Sequence, residues 1–397
     1  MALPNPAPAR LRRLSYAALL IGATVNAQAP PSPDPSAVRW DGSAEVSGYH
    51  DSDHVTVFTP AARARARTPS GWSASGGYLI DIVSAASVDI VSTASPRWTE
   101  VRHAANLGAG YDDGVTGLAA TGVASMEPDY VSWSAGLQLS RAFADKHARL
   151  SLGYGYQRNI AGRTGTPFAV YALRSDRHTV DARLELVLGP ATTLTPGLDV
   201  MFESGRQEKP YRWLPVFDDE TADRVPPGAS IELVDRLRLP GRMAERLPDR
   251  RRRVAASARL AHRFRRSTLV LWERAYADGW GMLANTTDAR WVFDVAPRLS
   301  VWPALRLHNQ SAVTFWRRAY VGRFQDGRVD VPSFRTGDRE HGRLWTATLG
   351  AGVAVEPARD SRLSLQLDGA YTEFPDTLYI DHRWATFVVA GFSTRFR

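Results

Sequence analysis

The chain has no cysteine, which excludes disulfide frameworks, thiolate metal sites, cysteine nucleophiles and covalently attached haem. It has no uninterrupted apolar run approaching the roughly 18–20 residues of a membrane-spanning helix. Lysine is nearly missing: only Lys146 and Lys209 accompany the arginines, a bias that reads as coding composition rather than as a nucleic-acid surface. There is no G-x-S-x-G elbow, H-E-x-x-H pair or Walker loop, and helical periodicity is almost absent. A helical membrane bundle is therefore excluded, and no local enzyme signature survives. The expectation is a non-enzyme with no cofactor and no metal.

What is present is a chain of 397 residues, 44% hydrophobic and 23% charged, too apolar for disorder. Residues 1–27 read as a cleaved secretory signal: Arg10, Arg12 and Arg13 precede the apolar stretch Leu14 to Val25, and Val25-Asn26-Ala27 supplies small residues for the cut. Its removal lowers the net charge from +8 to +5, which does not argue for nucleic acid. With no cysteine at the cut, a lipoprotein anchor is not expected. Residues 28–39 form a Pro-rich leader, and 40–397 the folded part.

Beyond the leader, segments of roughly ten residues alternate between two chemistries, the period-2 signature of strands with unlike faces. In Ala148 to Gln157, Leu150, Leu152, Tyr154 and Tyr156 oppose Arg149, Ser151, Gly153 and Gln157. Asp360 to Glu373, His178 to Leu188 and Arg251 to Phe264 repeat the split. Trp72, Trp98, Tyr111, Trp133, Tyr156, Trp345, Tyr371 and Trp384 fall near segment ends, as in the aromatic girdles of a lipid-facing band. Sixteen strands are predicted, near 42–50, 54–67, 71–82, 97–111, 115–125, 130–143, 147–157, 177–188, 191–204, 251–263, 266–278, 287–297, 300–316, 342–355, 360–373 and 384–396. Short turns fall on every second connection, and the long connections 83–96, 158–176, 205–250 and 317–341 fall on the others. The expected fold is all-β, a transmembrane antiparallel up-and-down barrel with both termini periplasmic and the long loops outside. The last strand carries Trp384, Val388, Phe392 and Phe396 on one face, like the aromatic terminal signal of barrel assembly, displaced by Arg397.

Three features could carry chemistry. Asp81 to Ser87 and Asp89 to Ser95 are two seven-residue copies differing at one position. Asp81, Ser84, Ser87, Asp89, Ser92 and Ser95, followed by Glu100 and Arg102, could line a constriction or bind a cation through oxygen, or simply form turns that cap a hairpin. His103 falls on the apolar face. The lumen phase is predicted to carry Arg149, Arg177, Arg183, Arg251, Arg253, Arg259, Arg306 and Arg362 with Asp181, Glu185, Asp199, Asp360 and Asp368. Opposed rows of this kind create a field across a pore and favour anions, or else only brace the wall. The run Asp249 to Arg253 could also meet lipopolysaccharide phosphates. The connection 205–250, with Tyr211 and Arg212, exceeds a passive linker; it either folds over or into the pore or lies on the surface. His50-Asp51-Ser52-Asp53-His54 supplies raw material for a barrel hydrolase, but a hydrophilic loop tip explains it more simply.

Together, the Asp81 to Ser95 repeat with Glu100 and Arg102, Pro210-Tyr211-Arg212, and Glu245 through Asp249 to Arg252 resemble an uncharacterised family of outer-membrane β-barrels from Gram-negative bacteria. The resemblance covers most of the chain after the signal. It implies a barrel in the cell outer membrane and brings no substrate. The expected function is a porin-like channel or transporter for a small polar or anionic solute; the alternatives are a non-conducting sheath or docking scaffold and a barrel-embedded hydrolase. Expected partners are outer-membrane lipid, lipopolysaccharide, the barrel-assembly machinery and a periplasmic protein, without nucleic acid.

Overall fold

A sheet with an apolar face outward and a polar face inward loses its exposed edges only by closing on itself. The computed structural model of the chain describes residues 37–85, 98–325 and 328–396, and sixteen strands close into one antiparallel barrel. The first nine are β1 (Arg39–Asp51), β2 (Thr56–Arg67), β3 (Trp72–Ala85), β4 (Trp98–Asp112), β5 (Thr116–Glu127), β6 (Tyr130–Phe143), β7 (Ala148–Ala161), β8 (Leu173–Gly189) and β9 (Thr192–Gly205). The connection 206–249 then folds as β10 (Trp213–Phe217), α1 (Asp219–Ala222), α2 (Ile231–Leu237) and β11 (Arg242–Ala244). Barrel strands resume with β12 (Arg250–Arg263), β13 (Ser267–Asp278), β14 (Leu283–Ala296) and β15 (Leu299–Gln310). A second folded connection carries β16 (Tyr320–Val321), β17 (Arg323–Gln325), β18 (Arg328–Asp330) and a 3-10 turn at Arg339–His341. The wall ends with β19 (Leu344–Ala358), β20 (Ser361–Glu373) and β21 (His382–Phe396), and β21 pairs with β1 to close it.

The two ends of the barrel differ. At the turn end the longest connections are 68–71 and 144–147. There Gly71 has φ +92° and lies so close to the Asp112 carbonyl that an added Cβ would meet its oxygen at 2.5 Å, so only glycine fits this bend. At the loop end, 206–249 and 311–343 are long enough to fold.

Outside, large apolar side chains stay exposed, including Leu107, Leu137, Leu152, Leu349 and Leu367. Aromatic pairs mark both margins of this band: Trp72 against Tyr111 at the turn end (5.2 Å between ring centres), and Trp133 against Tyr156 (5.2 Å) and Tyr371 against Trp384 (4.7 Å) towards the loop end.

Several boundaries depart from the sequence reading: β7 runs on to Ala161, and β8 and β14 begin early, at Leu173 and Leu283. β1 begins at Arg39, inside the expected leader. β15 stops at Gln310 rather than continuing to 316: Val313 and Trp316, which continue the apolar pattern, turn away from the wall and are buried with Leu247, Trp280 and Met282. The connection 206–249 holds two short helices where no helical pattern was expected. Ser230 caps α2 by accepting from the Leu233 amide (3.3 Å), and Val234 packs with Phe217, Ala222 and Val225. The expected signal 1–27, most of the leader, and Ser87, Asp89, Ser92 and Ser95 lie outside the described residues.

Candidate functional site

Inward-facing side chains change character along the bore. Nearer the turn end they keep contact with solvent: the Arg183 side chain is 55% exposed, although it faces Asp199 at 3.8 Å. Arg63, Arg65 and Glu185 are exposed on the same inner phase. Nearer the loop end the inner phase is buried. The Glu203 carboxylate, 6% exposed, lies 2.6 Å from Arg177 and 2.7 Å from Arg253. Arg251 is paired with fully buried Asp278 and stacks on Trp280 (4.1 Å), while Tyr276 donates to Asp278 (2.8 Å). The bore is therefore wet at one end and packed at the other.

The packing is completed by a lid made of the two folded connections and 374–381. β10 runs antiparallel to β11 and parallel to β16, tying the connections together. Phe217, Val225 and Val234 pack against Leu378 and Tyr379 of the β20–β21 connection. Tyr211 reaches the β5–β6 turn, donating to Asp129 Oδ2 (2.8 Å) and accepting from the Thr164 amide (2.5 Å). Arg339 pairs with Asp53 of the β1–β2 connection. Together these ties join loops from widely separated strands across the mouth.

At the centre of the lid lies a buried ionic cluster. Asp338 pairs with Lys209 and, at 2.9 Å, with Arg212. Glu245 accepts from the Lys209 amide (3.0 Å) and the Thr336 hydroxyl (2.5 Å). His341 stands edge-on to Trp280, with ring centres 5.5 Å apart. Burial opposes ionisation of Asp338, but Arg212 and Lys209 hold its carboxyl well below the usual range. Burial pushes the Glu245 carboxyl up, and Asp338 adds to the rise. Burial also depresses the His341 imidazole to about 3 and raises the Tyr211 and Tyr320 phenols to about 12.

Among the described residues, two groups bring three possible ligand atoms within 4.8 Å of one another: Glu245, Asp338 and His341, and Glu100, Glu127 and Asp129. In the first, Lys209 and Arg212 already offset the charge on Asp338, so the cluster suits a protein clamp better than a cation. The second groups carboxylates around Asp129, the acceptor of Tyr211.

The residues singled out in the sequence separate clearly. Asp81 faces the bore, accepting from Arg102 Nε (2.6 Å) and Thr59 (2.5 Å). Ser84 shares the outward phase of Tyr78 and Ile82 and does not join them. Among the predicted lumen charges, Arg149 contacts Asp112 (3.1 Å), Arg306 contacts Asp288 (3.6 Å), Arg362 contacts Glu356 (3.5 Å), and Asp368 accepts from Gln366 (2.8 Å). Asp181 and Arg259 occupy the same inner phase. His50 bonds to Thr56 (2.9 Å) and His103 to Tyr78 on the outer wall (2.6 Å); neither is paired with a carboxylate among the described residues. Sequence reasoning grouped Glu245 with Arg212 but missed Lys209, Asp338 and His341 beside them, and Arg339 as the partner of Asp53. Lys209, one of two lysines, was the available signal.

Residues 87–388 match the family described as protein of unknown function (DUF3570). No curated protein matches the sequence. Among solved structures, the outer membrane protein opdK from Pseudomonas aeruginosa is 10% identical over 91% of this chain and 99% of its own, with a TM-score of 0.43. The CymD monoaromatic hydrocarbon channel is 8% identical over 91% and 88%, with a TM-score of 0.43. The ferric enterobactin receptor PfeA of Pseudomonas aeruginosa is 9% identical over 84% and 54%, with a TM-score of 0.42. The chain thus spans about half the length of that receptor. These likenesses are too distant to carry an argument about what passes through or binds to this barrel.

Proposed function

The chain belongs to the DUF3570 family of proteins of unknown function, and we propose that it is an outer-membrane channel for small polar or anionic solutes, closed at its loop end by the folded lid. The belt of exposed leucine and valine with aromatic margins supports insertion in a bilayer. The contrast between short turns and long connections supports a periplasmic turn end, with both termini there and the lid outside. Arginines exposed on the inner wall, among them Arg63, Arg65 and Arg183, favour anions.

The observation that carries the reading is the solvent exposure of charged side chains inside a closed wall, since a sheath packed around a partner or a solid plug would bury them. Passage then requires the lid to yield. Reconstituted in planar bilayers, the full chain is expected to show brief, anion-preferring openings, and Asp338→Asn is expected to lengthen them. Absence of conductance in both proteins, with a periplasmic protein retained on purification, would replace the channel with the docking scaffold, which the sealed loop end also suits.

A further inference from the structure

The run Asp249 to Arg253 is divided by the pleat. Arg251 and Arg253 face the bore and pair with Asp278 and Glu203; Arg250 and Arg252 therefore face outward. Strand register shows what surrounds them on the outer wall. Arg250 is level with Ser204, Asp176, Arg158 and Trp133 on successive strands. One outward step nearer the turn end, Arg252 is level with Phe202, His178 and Tyr156. Arg174 lies one outward step beyond Asp176 along β8, towards the loop end. Among the described residues level with these arginines on the outer wall, the one acid, Asp176, is engaged by Arg158 (3.4 Å) and the Tyr156 hydroxyl (2.5 Å). None of the described residues pairs with the side chains of Arg174, Arg250 or Arg252.

We propose that this outward arginine patch at the loop-end margin of β7, β8, β9 and β12 docks a phosphate-bearing glycolipid of the outer leaflet. The inference rests on the outer-membrane reading above. Two neighbouring features identify the occupant as a lipid rather than a soluble anion. The arginines sit on the wall's outer face, not in the bore, and the surface immediately below them is continuous apolar belt: Phe202, Val180, Leu198 and Val254 are exposed there. A molecule with acyl chains against that belt would place its headgroup among the arginines. The guanidinium fork matches phosphate oxygens in pairs, and fixed basic residues at a membrane margin favour anionic headgroups. The aromatic row Tyr156, His178 and Phe202 marks the boundary between chains and headgroup.

The test uses the full chain in phosphatidylethanolamine vesicles doped with either bis-phosphorylated lipid A or its dephosphorylated form, scoring lipid retained on the purified barrel. The wild type is expected to retain the phosphorylated lipid at least about thirtyfold better, and Arg250→Gln/Arg252→Gln to lose about thirtyfold of that retention. Arg250→Lys/Arg252→Lys keeps the charge but not the fork and is expected to fall between the wild type and the glutamine variant, which separates lost contact from lost fold. Equal retention of the two lipids by the wild type, undiminished retention by the glutamine variant, or displacement by millimolar inorganic phosphate would each overturn the site. Failure of the barrel to enter vesicles at all would instead overturn the outer-membrane reading.

Discussion

The two halves of the bore are built from the same alternating strands and differ in what covers their inner faces. On β8 and β9 the Arg183 side chain is 55% exposed beside half-buried Asp199, whereas Glu203, paired with half-buried Arg177 a few residues further along, is 6% exposed. The pairs are chemically alike. The first is an exposed ion pair of small net worth; the second belongs to a dry network whose members depend on one another. Burial by the lid, rather than residue type, converts lining charges into structural ones.

The largest test of this contrast is Asp338→Asn. It leaves Lys209 and Arg212 buried around a neutral group, a loss of about 3–5 kcal/mol in such networks, and should expose the lid to protease while the barrel resists. Equal protection of variant and wild type would remove the cluster from its role as clamp.

Acid offers a second approach. In the closed lid His341 is held near 3 against its usual 6.5, so between those values an opened lid binds a proton that the closed lid refuses. Stability of the closed state should therefore fall as pH drops through that window. Glu245 acts in the opposite direction: with its acidity weakened, the closed lid takes a proton more readily than the open one just above the usual 4.5. His341→Asn should accordingly reverse the slope above the usual 4.5, while nearer the usual 3.8 the depressed Asp338 carboxyl keeps stability falling, which proteolysis at stepped pH would read.

Tyr211→Phe should cost about 1–3 kcal/mol, because it takes from Asp129 the phenol donor that stands beside the Thr164 hydroxyl (3.2 Å) and from the Thr164 amide the phenol oxygen it donates to. Thermal unfolding of the lid would measure it. At the other end of the bore, Arg183→Ala should alter stability by no more than about 1 kcal/mol while moving the reversal potential towards cations. A large stability loss there would erase the distinction between the halves.

The wall was legible in the sequence because two media impose one period: all sixteen strand positions follow from alternation and turn chemistry. The lid was not, because nothing local encodes it. Lys209 meets Asp338 across 129 positions, and Arg339 meets Asp53 across 286. Val313 and Trp316 show the same limit at short range: they fit a strand pattern, but a neighbouring loop gives them a better place to be buried. Tyr211 and Arg212 could be picked out as large side chains in an oversized connection, but their partners could not.

Every seam of the wall but one joins wall strands that follow one another in chain order, β9 to β12 and β15 to β19 across the folded connections. The exception pairs Trp40 with Phe396, placing the first and last strands about 5 Å apart. Hairpins can therefore zip up in order at little entropic cost, while two raw edges persist until the final seam meets. Joining the ends and opening the chain at the 359–360 turn would move that last event elsewhere without disturbing any other pairing. In its connectivity, the wall is a circle that happens to have been cut at one point.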